Sequence, residues 1–177
     1  MSKFFNALSL AVAMVTAAAA AQEPAQKTQD EHELTKATYL VTGLHCPPCT
    51  RTVESSLGHV KGLRSIKVDW KSKHARIEFD ETKLPAQRVA QLIAATPHMM
   101  GSNMHYGGWL ALKVPDLKDD ATAKQVKEVL SKLKGVKQVA TYPAQHSVGI
   151  AFAAKGNLTS AQVIEELTKA GIKAENL

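Results

Sequence analysis

The sequence predicts an α+β fold in which two tandem β-α-β-β-α-β modules each pack two helices on one face of a four-stranded antiparallel sheet. Apolar residues alternate along some segments, as in half-buried strands, and recur every three to four residues along others, as in amphipathic helices. The chain also matches itself at an offset of 73 residues, with one inserted residue late in the match. The identical pairs are Val41/Val114, Leu44/Leu117, Val53/Val126, Leu57/Leu130, Lys61/Lys134, Gly62/Gly135, Ile77/Ile150, Phe79/Phe152, Leu84/Leu158 and Val89/Val163.

The N-terminus has the pattern of a secretory signal peptide. Lys3 precedes an apolar run, and small residues suited to a cleavage site follow at 17–21. The run is shorter than the ~18–20 residues that a membrane span needs. Residues 22–36 are polar and predict a flexible linker. We therefore expect a signal peptide over 1–21 and a periplasmic or otherwise exported protein that is not membrane-embedded after cleavage, with modules at 37–106 and 107–177.

Each module contains the same elements in the same order. In the first, we expect a strand at 39–41, a helix marked by Val53, Leu57 and Val60, a hairpin of strands at 66–70 and 75–79, a helix from Pro85 and a last strand within 98–104. In the second, we expect a strand at 110–114, a helix marked by Val126, Leu130 and Leu133, and a later helix that begins near Thr159 and Ser160. Gly62 and Gly135 lie just past the first helix of each copy, where a C-terminal glycine is typical.

Composition argues against a nucleic-acid partner. The net charge is +6, but the charges are interspersed and aromatic residues make up 5% of the chain. Nucleic-acid binding favours a basic stripe with stacking aromatics, and this pattern is missing from the sequence.

The two cysteines of the chain, Cys46 and Cys49, lie between a predicted strand and a predicted helix. Thiols at i and i+3 in such a turn can converge on one soft metal ion or form a disulfide. A helix N-terminus favours the thiolate, which is the form that binds metal. Two thiolates suit Cu(I), Ag(I) or Hg(II), whereas Zn(II) prefers four ligands.

The first copy resembles the heavy-metal-associated domain, the ferredoxin-like module of copper chaperones, metal-pumping ATPases and periplasmic mercury-binding proteins. The motif Gly-Met-x-Cys-x-x-Cys of that family corresponds here to Gly43-Leu44-His45-Cys46-Pro47-Pro48-Cys49. Leu44 replaces a methionine that packs beneath the loop in the family, and Pro47-Pro48 stiffens the loop. The resemblance implies a metal carrier, and no enzyme, that passes its ion to a membrane metal transporter or another carrier domain.

Two other uses of the cysteine pair remain open at this stage. Cys-Pro-Pro-Cys also fits a thiol-disulfide exchange protein, although Gly-Leu-His precedes the pair here and thioredoxin-like sites usually follow a tryptophan. A third interpretation is a metal-independent interaction module. The second copy is degenerate, because Asp119 and Thr122 stand where the cysteines would fall.

A stretch rich in histidine and methionine, residues 97–105, ends the first copy. Thioether and imidazole groups are ligands for Cu(I). We expect this segment to lie beside the cysteine loop, where His98, Met99 or Met100 would complete or cover the site. Met104 and His105 would alternatively form a neighbouring site with these residues, or the methionines would fill the core. His45 is a further candidate ligand. Cu(I) is the leading candidate metal, with Hg(II) and Zn(II) as alternatives.

Overall fold

A computed structural model describes residues 33–177, so the expected signal peptide and the linker up to residue 32 lie outside the described residues. The elements are β1 (Thr35–Thr42), α1 (Pro47–Leu57), β2 (Leu63–Asp69), β3 (His74–Phe79), α2 (Ala86–Ala95), β4 (Gly107–Lys113), α3 (Asp120–Ser131), β5 (Val136–Tyr142), β6 (Ser147–Phe152), α4 (Ser160–Lys169) and β7 (Glu175–Asn176), with a 3-10 turn at Pro143–Gln145. Thr35 and Lys36 already pair with β3, so the linker prediction is two residues too long at its C-terminal end.

The described chain has the α+β fold expected, but its strands form one sheet rather than two four-stranded sheets. The order is β2-β3-β1-β4-β6-β5, β7 also pairs with β4, and every pair is antiparallel. One row of directly opposed residues crosses six strands. Its members, in sheet order, are Val68, Ala75, Tyr39, Leu110, Ile150 and Val139. This row and apolar side chains of all four helices belong to a single hydrophobic core.

The sheet is continuous because β4 serves both halves of the chain. One edge of β4 pairs with β1, where Tyr39 lies opposite Leu110, and the other edge pairs with β6. β4 is therefore the last strand of the first half and the first strand of the second. Leu110, Ala111 and Leu112 are buried in succession, so this part of the strand lacks the alternation of a half-buried strand.

The predicted last strand within 98–104 is wrong for the same reason. Those residues form turns, and β4 occupies the place beside β1 that this strand was expected to fill. The last strand of the second half, β7, has only two residues and pairs with Leu112 and Lys113. It has no room to be longer, since β1 already occupies the rest of that edge of β4.

Polar contacts also join the two halves on the helix side of the sheet. The amide of Gln87, at the start of α2, is fully buried and bonds to the chain between β6 and α4. It donates to the carbonyls of Ala153 (2.9 Å) and Lys155 (3.0 Å) and accepts from the N–H of Leu158 (3.1 Å). Glu81 accepts hydrogen bonds from the N–H and the hydroxyl of Ser160, the first residue of α4.

Among the helices described over 33–177, none combines the length and apolar character needed to cross a bilayer.

Candidate metal site

The cysteine pair lies at the N-terminus of α1. Cys46 is the N-cap residue, with extended backbone angles, and Pro47 and Pro48 occupy the first two helical positions. Proline suits this place because its fixed φ is already helical and its missing N–H would have no intrahelical acceptor. The N–H of Cys49 donates to the carbonyl of Cys46 (3.0 Å), which closes the turn. The local sequence thus brings both thiols to one side of the first helical turn.

The two thiols are in direct contact. Their sulfur atoms are 2.6 Å apart, Cys49 is buried and Cys46 is half-buried. Burial raises the pKa of Cys49, but hydrogen bonds from the Cys46 thiol and the His45 N–H outweigh burial, and the net pKa is lowered. The hydrogen bond to Cys49 raises the pKa of Cys46. When one thiol ionises, its thiolate can therefore accept a hydrogen bond from the other thiol.

Tyr106 is a site residue that the sequence analysis missed. Its side chain is buried, and its hydroxyl has no well-formed hydrogen bond within the described residues. Burial raises the pKa of Tyr106 to about 12, and interaction with the Cys49 thiol adds to this effect. The same interaction helps to lower the pKa of Cys49. Its position next to Gly107, just before a buried strand, was the signal available in the sequence.

Gly43 brings the cysteine loop against the chain that leads into β4. Its φ is +83°, and a Cβ atom there would lie 2.4 Å from the carbonyl oxygen of His105. Only glycine fits both the left-handed backbone and this close approach. Leu44, the next residue, is buried beneath the loop, as expected.

The histidine- and methionine-rich residues 97–105 form a closed loop beside the cysteines. An isolated bridge between Pro97 and His105 closes it, and two internal turns centre on Gly101. Met99 and Met100 are 52% and 60% exposed, so the alternative that these methionines fill the core is wrong.

His98 is buried in this loop and uses both ring nitrogens within the protein. Its Nε2 lies 3.0 Å from the carbonyl oxygen of Gly43, and its Nδ1 accepts from the N–H of Met100 (3.2 Å). Because Nδ1 accepts, the ring proton is on Nε2 and is donated to Gly43. The ring also packs against Tyr106 at 4.5 Å between centroids and against His45 at 5.8 Å.

Of the described methionines, Met99 is the one whose sulfur contacts the thiols. Its Sδ is 3.9 Å from the Sγ of Cys46 and 3.9 Å from the Oγ1 of Thr52. His45 is exposed beside the pair, and so is His105 at the far end of the loop.

At the corresponding point of the second half, an acidic side chain caps the helix. Asp119 is the N-cap of α3, and its carboxylate accepts from the N–H of Thr122 (2.7 Å). This bond is the main cause of the lowered pKa of Asp119. The position that carries a thiol in the first half therefore stabilises a helix here.

Within residues 33–177, no group of three or more histidine, cysteine or acidic side chains converges as a metal site. The donors assembled around the pair are two thiols and one thioether, which are soft ligands.

Comparison with known proteins gives consistent matches. The family model described as "Heavy-metal-associated domain" matches residues 38–98. The copper chaperone CopZ of Enterococcus hirae is 31% identical over 58 residues, which is 33% of this chain and 84% of that protein. The periplasmic component of the mercuric transport proteins of Shigella flexneri is 30% identical over 94 residues, which is 53% of this chain and 89% of that protein.

A solved structure of the water-soluble region of the P-type ATPase CopA from Bacillus subtilis is also similar. It is 17% identical, with a TM-score of 0.40, over 82% of this chain and 92% of that one. The family model matches the chain, relatives of at least 30% identity are covered over most of their length, and the chain has the cysteine turn and the α+β fold. The chain therefore belongs to the heavy-metal-associated domain family.

Proposed function

We propose that this chain binds a soft metal ion through the thiolates of Cys46 and Cys49 and carries or scavenges that ion. The observation that supports it best is the convergence of the two thiols, whose sulfur atoms are in contact at the first turn of α1. Membership of the family implies metal binding, and Cu(I) is the first candidate, followed by Hg(II). Zn(II) is less suited, because the described residues supply no third and fourth ligand of the kind it prefers.

Two thiolates leave the ion accessible. Cys46 is half-buried at the surface, while Cys49 is covered. An incoming thiolate of a partner can therefore approach the ion on the side of Cys46 and replace Cys46 as a ligand. This arrangement suits transfer of the ion rather than permanent storage, and it requires no enzymatic step.

The relatives favour metal binding over the alternative of thiol-disulfide exchange. An attacking cysteine needs to be accessible as well as ionised. Cys49 is buried and Cys46 is half-buried. The relatives are named copper chaperone and mercuric transport protein, which supports a metal cargo.

The setting of the protein forms part of the proposal. The names of the relatives, copper chaperone and mercuric transport protein, support a soft-metal cargo and a metal transporter or another carrier domain as partner. The signal-peptide pattern of residues 1–21 supports export to the periplasm. The second half would be a cysteine-free copy of the same module, whose contacts with α2 support the first half.

A competition titration tests the function. Reduced protein is titrated with Cu(I), and separately with Hg(II), against a chelator of known affinity. We expect one tight equivalent that Cys46→Ser abolishes. His45→Ala should bind as the wild type does, because the exposed imidazole packs edge-on against the ring of His98. Absence of tight binding together with disulfide reductase activity would favour exchange instead. Absence of both would favour a metal-independent interaction module.

A further inference from the structure

The loop 97–105 distinguishes the first half from the second. The chain between α2 and β4 runs from residue 96 to 106, whereas the chain between α4 and β7 runs only from 170 to 174. All methionines of the described region, Met99, Met100 and Met104, lie in this longer loop. Their placement in the half that carries the cysteines points to a role at that site.

His98 fixes this loop to the cysteine turn. One ring nitrogen binds the carbonyl of Gly43, three residues before Cys46, and the other binds the N–H of Met100. Both nitrogens are used in these bonds, so His98 acts as a positioning residue. The residue between the two anchored points, Met99, is thereby held over the thiols.

Met99 is then an exposed apolar side chain with a defined position. Its thioether lies between the Cys46 sulfur and the Thr52 hydroxyl, at 3.9 Å from each. A small displacement would bring this sulfur within bonding distance of an ion held by the two cysteines.

The geometry points to Met99 as the third ligand, which makes a site of two thiolates and one thioether that selects Cu(I) and Ag(I). This inference rests on the proposed function and deepens it. A neutral thioether is a good ligand for Cu(I), which accepts three-coordinate sulfur sites. Hg(II) is satisfied by two thiolates in a line and gains little, and Zn(II) prefers thiolate, imidazole or oxygen ligands.

Met99→Leu tests the inference, with Met100→Leu as its matched control. Leucine keeps the size and apolar character of either side chain and removes only the sulfur. Met100 is equally exposed, and its N–H, which binds His98, is retained in the variant. We expect Met99→Leu to weaken Cu(I) binding about tenfold, to leave Hg(II) binding unchanged, and to intensify the Cu(I) X-ray absorption edge feature typical of two-coordinate sites. Met100→Leu should change none of these.

The role of His98 is tested in the same assays. His98→Ala should weaken Cu(I) binding in the wild type but add nothing to the effect of Met99→Leu, since both act through one thioether. Equal Cu(I) affinity and equal edge spectra for Met99→Leu and Met100→Leu would overturn the inference, provided that the wild type binds Cu(I) through its cysteines. Failure of the wild type to bind either Cu(I) or Hg(II) would instead overturn the proposed function. Binding of Hg(II) without Cu(I) would overturn the inference alone, so the failures are distinguishable.

Discussion

The bonds of Gln87 predict that the two halves unfold as one unit. Gln87 lies in the first half, but its amide bonds to the chain between β6 and α4 in the second half. Gln87→Leu removes these bonds and keeps the backbone hydrogen bond from residue 87 to Leu158 (2.9 Å). The substitution therefore perturbs the junction without touching the cysteine turn.

The loss of stability in Gln87→Leu follows from the polar groups that lose their hydrogen bonds to the Gln87 amide. The carbonyl of Ala153 keeps a bond from the amide of Gln91 (3.1 Å), whereas the N–H of Leu158 and the carbonyl of Lys155 lose theirs. A buried polar group without a partner costs about 1–3 kcal/mol, and water can reach the exposed Lys155 more easily. We expect the free energy of unfolding to fall by about 2–3 kcal/mol, which a domain of ordinary stability tolerates.

Urea unfolding with two probes measures this effect. Far-UV circular dichroism follows the whole fold. In a Cys46→Ser background, reaction of the buried Cys49 thiol with a chromogenic reagent follows the first half. Both midpoints should decrease together in Gln87→Leu. Gln91→Leu, one turn along the same helix, removes one bond to Ala153 and one exposed bond from Arg88. It should lower the free energy of unfolding by less than half as much, because the carbonyl of Ala153 keeps the bond from Gln87. A circular dichroism transition that splits in two, or a thiol midpoint that stays unchanged, would refute the argument that the shared sheet couples the halves.

Two further predictions concern the site itself. Tyr106→Phe removes one of the groups that lower the pKa of Cys49, so the pKa of Cys49 should rise. The thiolate absorbance at 240 nm, followed across pH, measures this change. Tyr142→Phe, at an exposed tyrosine, should leave the pKa of Cys49 unchanged. A thiol whose pKa is lowered by folding stabilises the fold above its unfolded-state pKa, and this stabilisation is lost as the pH falls through its folded-state pKa. Since the folded-state pKa of Cys49 should be higher in Tyr106→Phe, the stabilisation from Cys49 should be lost at a higher pH in that variant than in the wild type. Gly43→Ala should destabilise the fold more than Gly171→Ala does. Both positions have a left-handed φ, +83° and +77°, and incur about 1–2 kcal/mol of backbone strain, but only the Cβ at 43 meets a backbone oxygen, at 2.4 Å. Equal urea midpoints for the two glycine variants would contradict the close approach of the cysteine loop to His105.

The individual elements could be predicted from the sequence because local patterns determine them. The helix starting at Pro47 and the helix starting at Asp120 both show the expected apolar spacing, with Val53, Leu57, Val126 and Leu130 buried. The predicted hairpin strands of the first half match β2 and β3 closely. In each case the periodicity of a short segment was enough to identify its secondary structure.

The shared strand could not be predicted in this way, since it depends on which edges are paired. The apolar segment at 110–114 reads equally well as the first strand of a separate module or as a strand common to two. Only the arrangement of the whole chain decides, and here it leaves β2 and β5 as the outer strands while β4 pairs along both edges. The shortness of the final strand, β7, then follows from the place that β1 already occupies.

At the site, spacing indicated which residues come together but not what each one does. Cys46 and Cys49 follow from the motif. The loop 97–105 lies beside them as expected, but the strand that brings it there is β4 and not the one expected within 98–104. His98 and Met99 are neighbours, and both carry groups suited to Cu(I), so the sequence made them equal candidates. The structure separates them through hydrogen bonds, because His98 uses both nitrogens on Gly43 and Met100 while the sulfur of Met99 faces Cys46. If Met99 is the third ligand, as proposed, the imidazole positions the thioether instead of competing with it for the ion. A mutation of His98 should then weaken Cu(I) binding less in Met99→Leu than in the wild type.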